Sequence, residues 1–425
     1  MAGMTITEKI LAKASGKAQV RPGELVWANV NSILTIDMIG KSAFELFDSI
    51  GVPDVFDRER VICVSDHLVP PSTPAYATLL NEWRKTVKAH GIKYFYDFGR
   101  HGIAHQIMVE KGHVLPGTIS IGSDSHSNTY GALGAVGNAV SVSDAAVAMA
   151  TGKCWFRVPE AVKFNVYGQW QPWVCGKDLS LHVMSMMHWN GHLIYKSIEF
   201  AGPAIATLDM PGRITLTNMT VDLGCKNGIV APDEVTRKYL AGRTTEKWEM
   251  VASDPDAIYE QIYEIDISKV GPLVAVPHRL DTVKPVEQLV GTPINKAFVG
   301  TCTNGRLEDI EVLAKIVKGK QVHPDVNLLV VPASQEIFLQ AIRAGYVETI
   351  VEAGGAVDTP SCAACAGIHT GVAGDGDVII SAGNRNMQGR MGSRKAEIYI
   401  TSPAVVAASA IKGAIADPRE LSVED

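Results

Sequence analysis

Residues 117–128 read GTISIGSDSHSN, an apolar and β-branched run that stops at Gly122 and opens into Ser123-Asp124-Ser125-His126-Ser127-Asn128. Such a run predicts a buried strand, and the loop after it is rich in groups that ionise or hydrogen-bond. The pattern recurs. ERVICVS (59–65) runs into Asp66-His67, and NKAFVG (295–300) runs into Thr301-Cys302-Thr303-Asn304-Gly305-Arg306. In open α/β sheets, ligands bind beyond the carboxyl ends of the strands. Three strands that deliver reactive side chains at that end predict where a ligand binds.

Further strands are predicted at AVKFNVYG (161–168) and VNLLVV (326–331). Helical periodicity follows in LEDIEVLAKIVKGK (307–320) and QEIFLQAIRAGYVETIVEAGG (335–355). The alternation predicts an α/β protein with helices covering mostly parallel or mixed sheets. A new strand after Glu160 and a polar connector, DTVKPVEQLVGTP (281–293), divide the chain into three α/β units, 1–158, 159–283 and 284–425. At the N-terminus, Thr5 with Glu8 predicts a capping box, and Gly16 a helix stop.

Composition narrows the classes. The 425 residues carry a net charge of −6 without a Lys/Arg run, which argues against a nucleic-acid surface. No run of about 18 apolar residues predicts a membrane span. Seven cysteines without a secretion signal point to a reducing, cytoplasmic setting, where clustered thiols suggest metal or catalysis over disulfides.

Cys362 and Cys365, in DTPSCAACAGIH (358–369), stand three apart, with Cys302 60 residues before Cys362. A redox pair, a zinc site completed by His369, and a 4Fe–4S cluster on three thiolates are all compatible with this set. Cys63 reads as a core residue, and Cys154, Cys175 and Cys225 as core or surface thiols. Asp66-His67, His105 and Asp124-Ser125-His126 supply acids beside imidazoles, the combination that fixes a tautomer for acid/base work. His90, His101, His113, His182, His188, His192, His278 and His323 read as ordinary structural residues. In GNRNMQGRMG (383–392), Arg385 and Arg390 suit a carboxylate. Together these groups suit adding or removing water next to a carboxylate.

VSDHLVPP, GIAHQIMVEKGHVLPG, IGSDSHSNTYGALGA, FVGTCTNGRLEDI, PSCAACAGIHTGV and NRNMQGRMGS occur in this order. From about residue 6 onward the chain resembles the 3-isopropylmalate dehydratase large-subunit family of the aconitase superfamily. The resemblance implies three α/β/α domains arranged around a 4Fe–4S cluster, without the swivel domain. It implies Cys302, Cys362 and Cys365 as cluster ligands, with Asn218 and Asn384 near the cluster. It pairs Asp66 with His67, His105 with Asp124, and His126 with Asp222. Ser125, Arg385 and Arg390 match substrate-contacting positions.

The implied reaction is the reversible dehydration of a 2-hydroxy diacid, as in leucine biosynthesis. The family's proton-abstracting serine lies on the swivel domain, so a separate small subunit is expected, in a heterodimer or heterotetramer. Three positions depart from the family pattern. Ile36 replaces a usual His or Gln that would contact substrate, Asp222 replaces Glu, and Ala363-Ala364 replace Gly-Pro. These leave dimethylmaleate, citraconate or maleate hydratase and homoaconitase as rival activities. An RNA-binding, iron-sensing role and a zinc or redox role stand further off.

Overall fold

In the computed structural model, which describes residues 3–187 and 191–421, the N-terminal helix is Ile6–Ser15. Thr5 Oγ1 accepts the Glu8 N–H at 3.3 Å, Glu8 Oε2 accepts the Thr5 N–H at 2.7 Å, and Gly16 ends the helix at φ 69°. His188 lies outside the described residues.

The first larger sheet has five parallel strands in the order Tyr94–Tyr96, Val61–Val64, Ser32–Ile36, Ile119–Gly122, Val136–Ala139. Its three central strands are buried along their whole length, as parallel strands covered on both faces require. The second sheet is parallel too, in the order Asn227–Val230, Ser197–Ala201, Ala161–Tyr167, Gln261–Asp266. The third has seven strands: Val283–Pro285, Leu273–Ala275, Glu397–Thr401, Val378–Ser381, Lys296–Val299, Asn327–Val330, Ala356–Val357. Its first two pairings are antiparallel and the rest parallel.

By packing, the chain forms two compact units. One is Met1–Phe98, Ala104–Gly168 and Gly191–Asp266; the other is Gly99–Ile103, Gln169–Asn190 and Ile267–Asp425. The third sheet starts at Leu273, some ten residues before the expected boundary at 284. The first and second sheets share one unit because the turn Ser125–Leu133 lies directly on strand Asn227–Val230. Gly131 makes this approach possible, since a Cβ there would stand 1.7 Å from the Gly228 carbonyl oxygen.

The first unit packs Leu34, Ile36, Ile62 and Val64 against Ile107 and Met108 of helix Ala104–Glu110. The second packs Val299, Val330 and Ile380 against Val405 and Val406 of helix Pro403–Lys412. Each such side chain contributes about 1.5–3 kcal/mol of burial. The helical run expected over 335–355 is two helices, Gln335–Arg343 and Tyr346–Glu352, broken where Gly345 takes φ 77°. No helix among the described residues is long and apolar enough to cross a membrane.

Candidate active site

In the first sheet, strand Ser32–Ile36 has a neighbour on each side, reached by connections running in opposite directions. That topological switch point lies between Ser32–Ile36 and Ile119–Gly122, whose carboxyl ends lead to Asp37 and to Ser123-Asp124. Open α/β sheets bind ligands in this crevice. The third sheet repeats the arrangement. Its switch point lies between Lys296–Val299 and Val378–Ser381, which lead to Cys302 and to Asn384-Arg385.

In the first unit, His67 Nδ1 is 2.7 Å from Asp66 Oδ1, and Asp66 Oδ2 accepts the Ala104 N–H at 2.9 Å. His67 Nε2 is 3.8 Å from Asp124 Oδ2, within ion-pair range but beyond a hydrogen bond. His105 Nε2 lies 2.7 Å from Asp124 Oδ1, and His105 Nδ1 lies 3.3 Å from the Tyr130 hydroxyl. Burial pushes the Asp124 carboxyl up, but His105, His67 and His126 outweigh it and hold Asp124 well below the usual carboxylate range. Asp124 is therefore an ionised group hydrogen-bonded to the His105 ring, with the His67 ring in ion-pair range.

His126 reaches Asp222 Oδ2 through Nε2 at 3.3 Å and Ser125 Oγ through Nδ1 at 3.2 Å. The shorter Asp222 thus still meets His126. Asn218 is buried in this unit and donates to Thr129 Oγ1 at 2.8 Å, while Thr129 Oγ1 donates to the His126 carbonyl at 2.6 Å. Asn218 so braces the loop that carries His126.

Two findings differ from sequence reasoning. Ile36 is only 2% exposed and belongs to the apolar core of the first unit, so its side chain packs instead of meeting a ligand. The next residue, Asp37, which sequence reasoning left unassigned, is buried beside the Asp66-His67 turn. Its carboxylate accepts three backbone N–H groups, from Asp66 at 3.1 Å, His67 at 3.3 Å and Leu68 at 2.9 Å. Burial and the neighbouring Asp66 charge raise the Asp37 carboxyl to about 7, against the pull of His67 and those backbone bonds. An Asp just past an apolar strand was the available signal.

In the second unit, Cys302 and Cys362 are buried and Cys365 half-buried, and all seven cysteines of the chain are free thiols. Cys362 and Cys365 share one tight turn, with the Cys365 N–H donating to the Cys362 carbonyl at 3.0 Å. Asn384 touches two thiols. Its Nδ2 donates to Cys302 Sγ, and its Oδ1 accepts from Cys365 Sγ, each at 3.6 Å. Arg390 donates to Cys365 Sγ at 3.3 Å, a sulfur contact where sequence reading expected a substrate contact. Arg385 follows Asn384 and is half-buried. His369 is buried, with Nδ1 3.0 Å from Thr370 Oγ1.

Among the described residues, four non-glycine residues hold positive φ, and two adjoin these cysteines: Thr301 at 73° and Ala363 at 47°. Strain of this kind, about 1–3 kcal/mol each, persists where surrounding structure enforces it. Two buried cations hold carbonyls of the loops that carry Cys302 and Asn384. Arg306 donates to the carbonyls of Cys302, at 2.9 Å, and of Thr303. Lys177 donates to the carbonyls of Ala382, at 3.1 Å, and Gly383, just before Asn384. Arg306 acts within the Thr301–Arg306 stretch that the sequence marks as a strand end, whereas Lys177 acts on backbone that its own sequence neighbourhood does not announce.

Burial raises Cys63, Cys175 and Cys225 well above an ordinary thiol and Cys154 to about 11. Three reduced thiols, two of them bridged by the Asn384 amide and one of these also met by a guanidinium, fit a thiolate-held iron–sulfur cluster.

Residues 64–413 match the model of the aconitase family (aconitate hydratase). The chain belongs to the aconitase family. Proteins of that family are hydro-lyases and generally carry a 4Fe–4S cluster, and this chain is a hydro-lyase of the same type. It is 46% identical to the 3-isopropylmalate dehydratase large subunit of Aquifex aeolicus, over 99% of this chain and 98% of the relative. Identity with the protein of the same name from Thermodesulfovibrio yellowstonii is 43%, over 99% and 100%. With that of Thermoanaerobacter pseudethanolicus it is 44%, again over 99% and 100%. The crystal structure of holo-form aconitase X from Thermococcus kodakaraensis shares the fold at TM-score 0.51 and 14% identity, over 85% of this chain and 84% of that one.

Proposed function

We propose that the chain is the large subunit of a 4Fe–4S hydro-lyase that reversibly dehydrates a 2-hydroxy diacid, with 3-isopropylmalate as substrate. The observation that carries this reading is the Asp66–His67 pair beside an ionised Asp124, in a chain similar from end to end to dehydratase large subunits. Bound at Cys302, Cys362 and Cys365, the cluster would supply a Lewis acid that offsets charge on the diacid.

The chain's own residues supply the rest. Asp66 holds His67 Nδ1, so the ring presents Nε2 as the atom that moves a proton. In the dehydration direction it protonates the departing hydroxyl; in hydration it takes the proton from water. Asp124 stabilises the protonated ring, and Asp37 fixes the backbone on which His67 stands. His105 has both ring nitrogens engaged within 3.3 Å, so it acts by positioning Asp124. Ser125, oriented by His126, and Arg385 bind substrate carboxylate, a task that suits the planar guanidinium. Asn218 and Asn384 hold the surrounding loops, and Arg390 tunes the Cys365 sulfur.

The base that removes the proton alpha to the carboxylate belongs to a small, single-domain partner subunit. A cytoplasmic, reducing setting keeps all seven thiols available. The test is hydration of a panel of unsaturated diacids by the complex prepared anaerobically with that subunit. 2-Isopropylmaleate is expected to be hydrated fastest. A clear preference for citraconate, dimethylmaleate, maleate or the homoaconitase substrate would reassign the substrate. A protein that takes up no iron and sulfide on reconstitution would remove the cluster from the account.

A further inference from the structure

Strands Leu25–Asn29 and Lys153–Arg157 of the first unit pair antiparallel as a two-stranded ribbon, with Trp27 opposite Trp155 and Leu25 opposite Arg157. Alternation along each strand separates its two faces. Val26, Ala28, Cys154 and Phe156 turn inward and are buried. On the outer face Leu25 is 69% exposed, Trp27 57% and Trp155 48%. A cross-strand tryptophan pair steadies a ribbon. That role leaves Leu25 unexplained, since it extends the same apolar face and is the most exposed of the three.

Together these side chains leave roughly 300–400 Å² of contiguous apolar surface. Patches of that size mark interaction sites, and tryptophan is the residue on which binding energy concentrates. An ordinary protein interface takes about 800 Å² from each partner. The ribbon therefore supplies the apolar centre of such an interface, and the rim must complete it.

The rim has a sign. The other outward residues of the ribbon are Asn29, Lys153 and Arg157, two cations and no acid. Acids nearby are already engaged. Asp144 accepts from the Ser141 hydroxyl at 2.8 Å and from the Trp155 indole N–H at 3.2 Å. Glu160, on which Arg157 also acts, pairs with Lys196, and Glu24 pairs with Lys17 at 3.1 Å. A second copy of this chain would bring the same cations and no acid to the contact. A partner with carboxylates around an apolar cluster complements it.

Position singles out which partner. Trp155 also lines a cavity of about 440 Å³, together with Tyr195 and with Ser123, Asp124 and Ser125 of the candidate active site. Inside that cavity Asp124 and Asp144 offset Lys226, so the positive surplus belongs to the ribbon face. A subunit that brings a base to a substrate held at Ser125 comes within reach of this rim.

We propose that the Trp27–Trp155 face docks the small partner subunit, which meets it with an apolar cluster bordered by carboxylates. The surface is read from the ribbon itself; naming its occupant rests on the function proposed above.

The test measures the Kd between the full chain, cluster loaded, and the small subunit. Trp27→Ser and Trp155→Ala are each expected to raise Kd about tenfold or more, with Tm close to wild type because both side chains lie outside the core. Lys153→Glu is expected to slow association and reduce its dependence on salt. Hydroxyl-radical footprinting of the wild type needs no variant: the small subunit is expected to protect Trp27 and Trp155 from oxidation. Unchanged Kd in both tryptophan variants, or unprotected tryptophans in a formed complex, overturns the docking surface. So does a wild-type chain that dimerises alone and becomes monomeric in Trp27→Ser, which would give the face to a second copy.

Turnover separates this from the hydro-lyase reading. A complex that hydrates a diacid while leaving both tryptophans reactive defeats the docking surface alone. A complex that protects them yet turns over no diacid defeats the hydro-lyase reading alone. A chain that forms no complex at all defeats the partner, and the docking surface with it.

Discussion

The carboxylate of Asp37 receives the backbone N–H of Asp66 at 3.1 Å, and through Leu68 and His67 it holds the rest of that loop. An apolar strand therefore ends in an acid whose work is to shape the catalytic turn of the neighbouring strand. Asp37→Asn keeps the size but weakens three charge-assisted bonds. We expect kcat to fall about ten- to a hundredfold with a smaller change in KM.

The same residue gives a pH signature. Its folded pKa of about 7 lies above the ordinary 3.8, so the folded state binds more protons than the unfolded state between those values. Its contribution to stability therefore decreases as pH rises through that window, by a few kcal/mol. Urea denaturation at pH 5 and pH 8 checks this: Asp37→Asn should flatten the difference seen in the wild type. An identical slope in both proteins would contradict the assignment.

Ile36 is a packing residue. Ile36→His places an imidazole in the apolar core and should cost about 2–4 kcal/mol, seen as a lower Tm. Ile36→Val should cost about 0.5–1.5 kcal/mol. Relative rates across a diacid panel should stay constant in both variants. A changed preference in a well-folded Ile36→His protein would return this residue to the substrate site.

Ala363 carries positive φ between two cysteines of one turn. Glycine adopts that conformation without the Cβ conflict, so Ala363→Gly should raise stability by about 1 kcal/mol and leave cluster content unchanged. Thermal denaturation of the reconstituted protein measures it.

Asn384 spans Cys302 and Cys365, so its loss should loosen the cluster before it affects the fold. Asn384→Ala should speed bleaching of the cluster absorbance by a chelator about tenfold or more, in the range seen for lost supporting bonds to metal ligands. Serine at Cys302, Cys362 or Cys365 should prevent reconstitution outright. Equal bleaching rates in Asn384→Ala and wild type would deny Asn384 that role.

Much of this site was legible in the sequence because its reactive residues follow short apolar strands. GTISIG, ERVICVS and NKAFVG mark the strand ends, and the acid–histidine pairs are neighbours in sequence or close to it. Sheet order was not legible, since which strand lies beside Ser32–Ile36 depends on crossovers that no local pattern records. For the same reason the switch points, and with them Asp37, emerged only from the fold. Lys177 was hidden by distance, acting on carbonyls more than 200 residues away. Ile36 misled because a substitution at a family position was read as a change of contact, whereas its side chain faces the core.

The most direct measurement is hydration of 2-isopropylmaleate by the anaerobic complex, comparing wild type with His67→Gln at equal cluster content. The account predicts turnover by the wild type and a loss of about 10²–10⁴-fold in His67→Gln, with cluster absorbance retained. A fully loaded wild-type complex inert toward every unsaturated diacid, or a His67→Gln enzyme as fast as wild type, would contradict it.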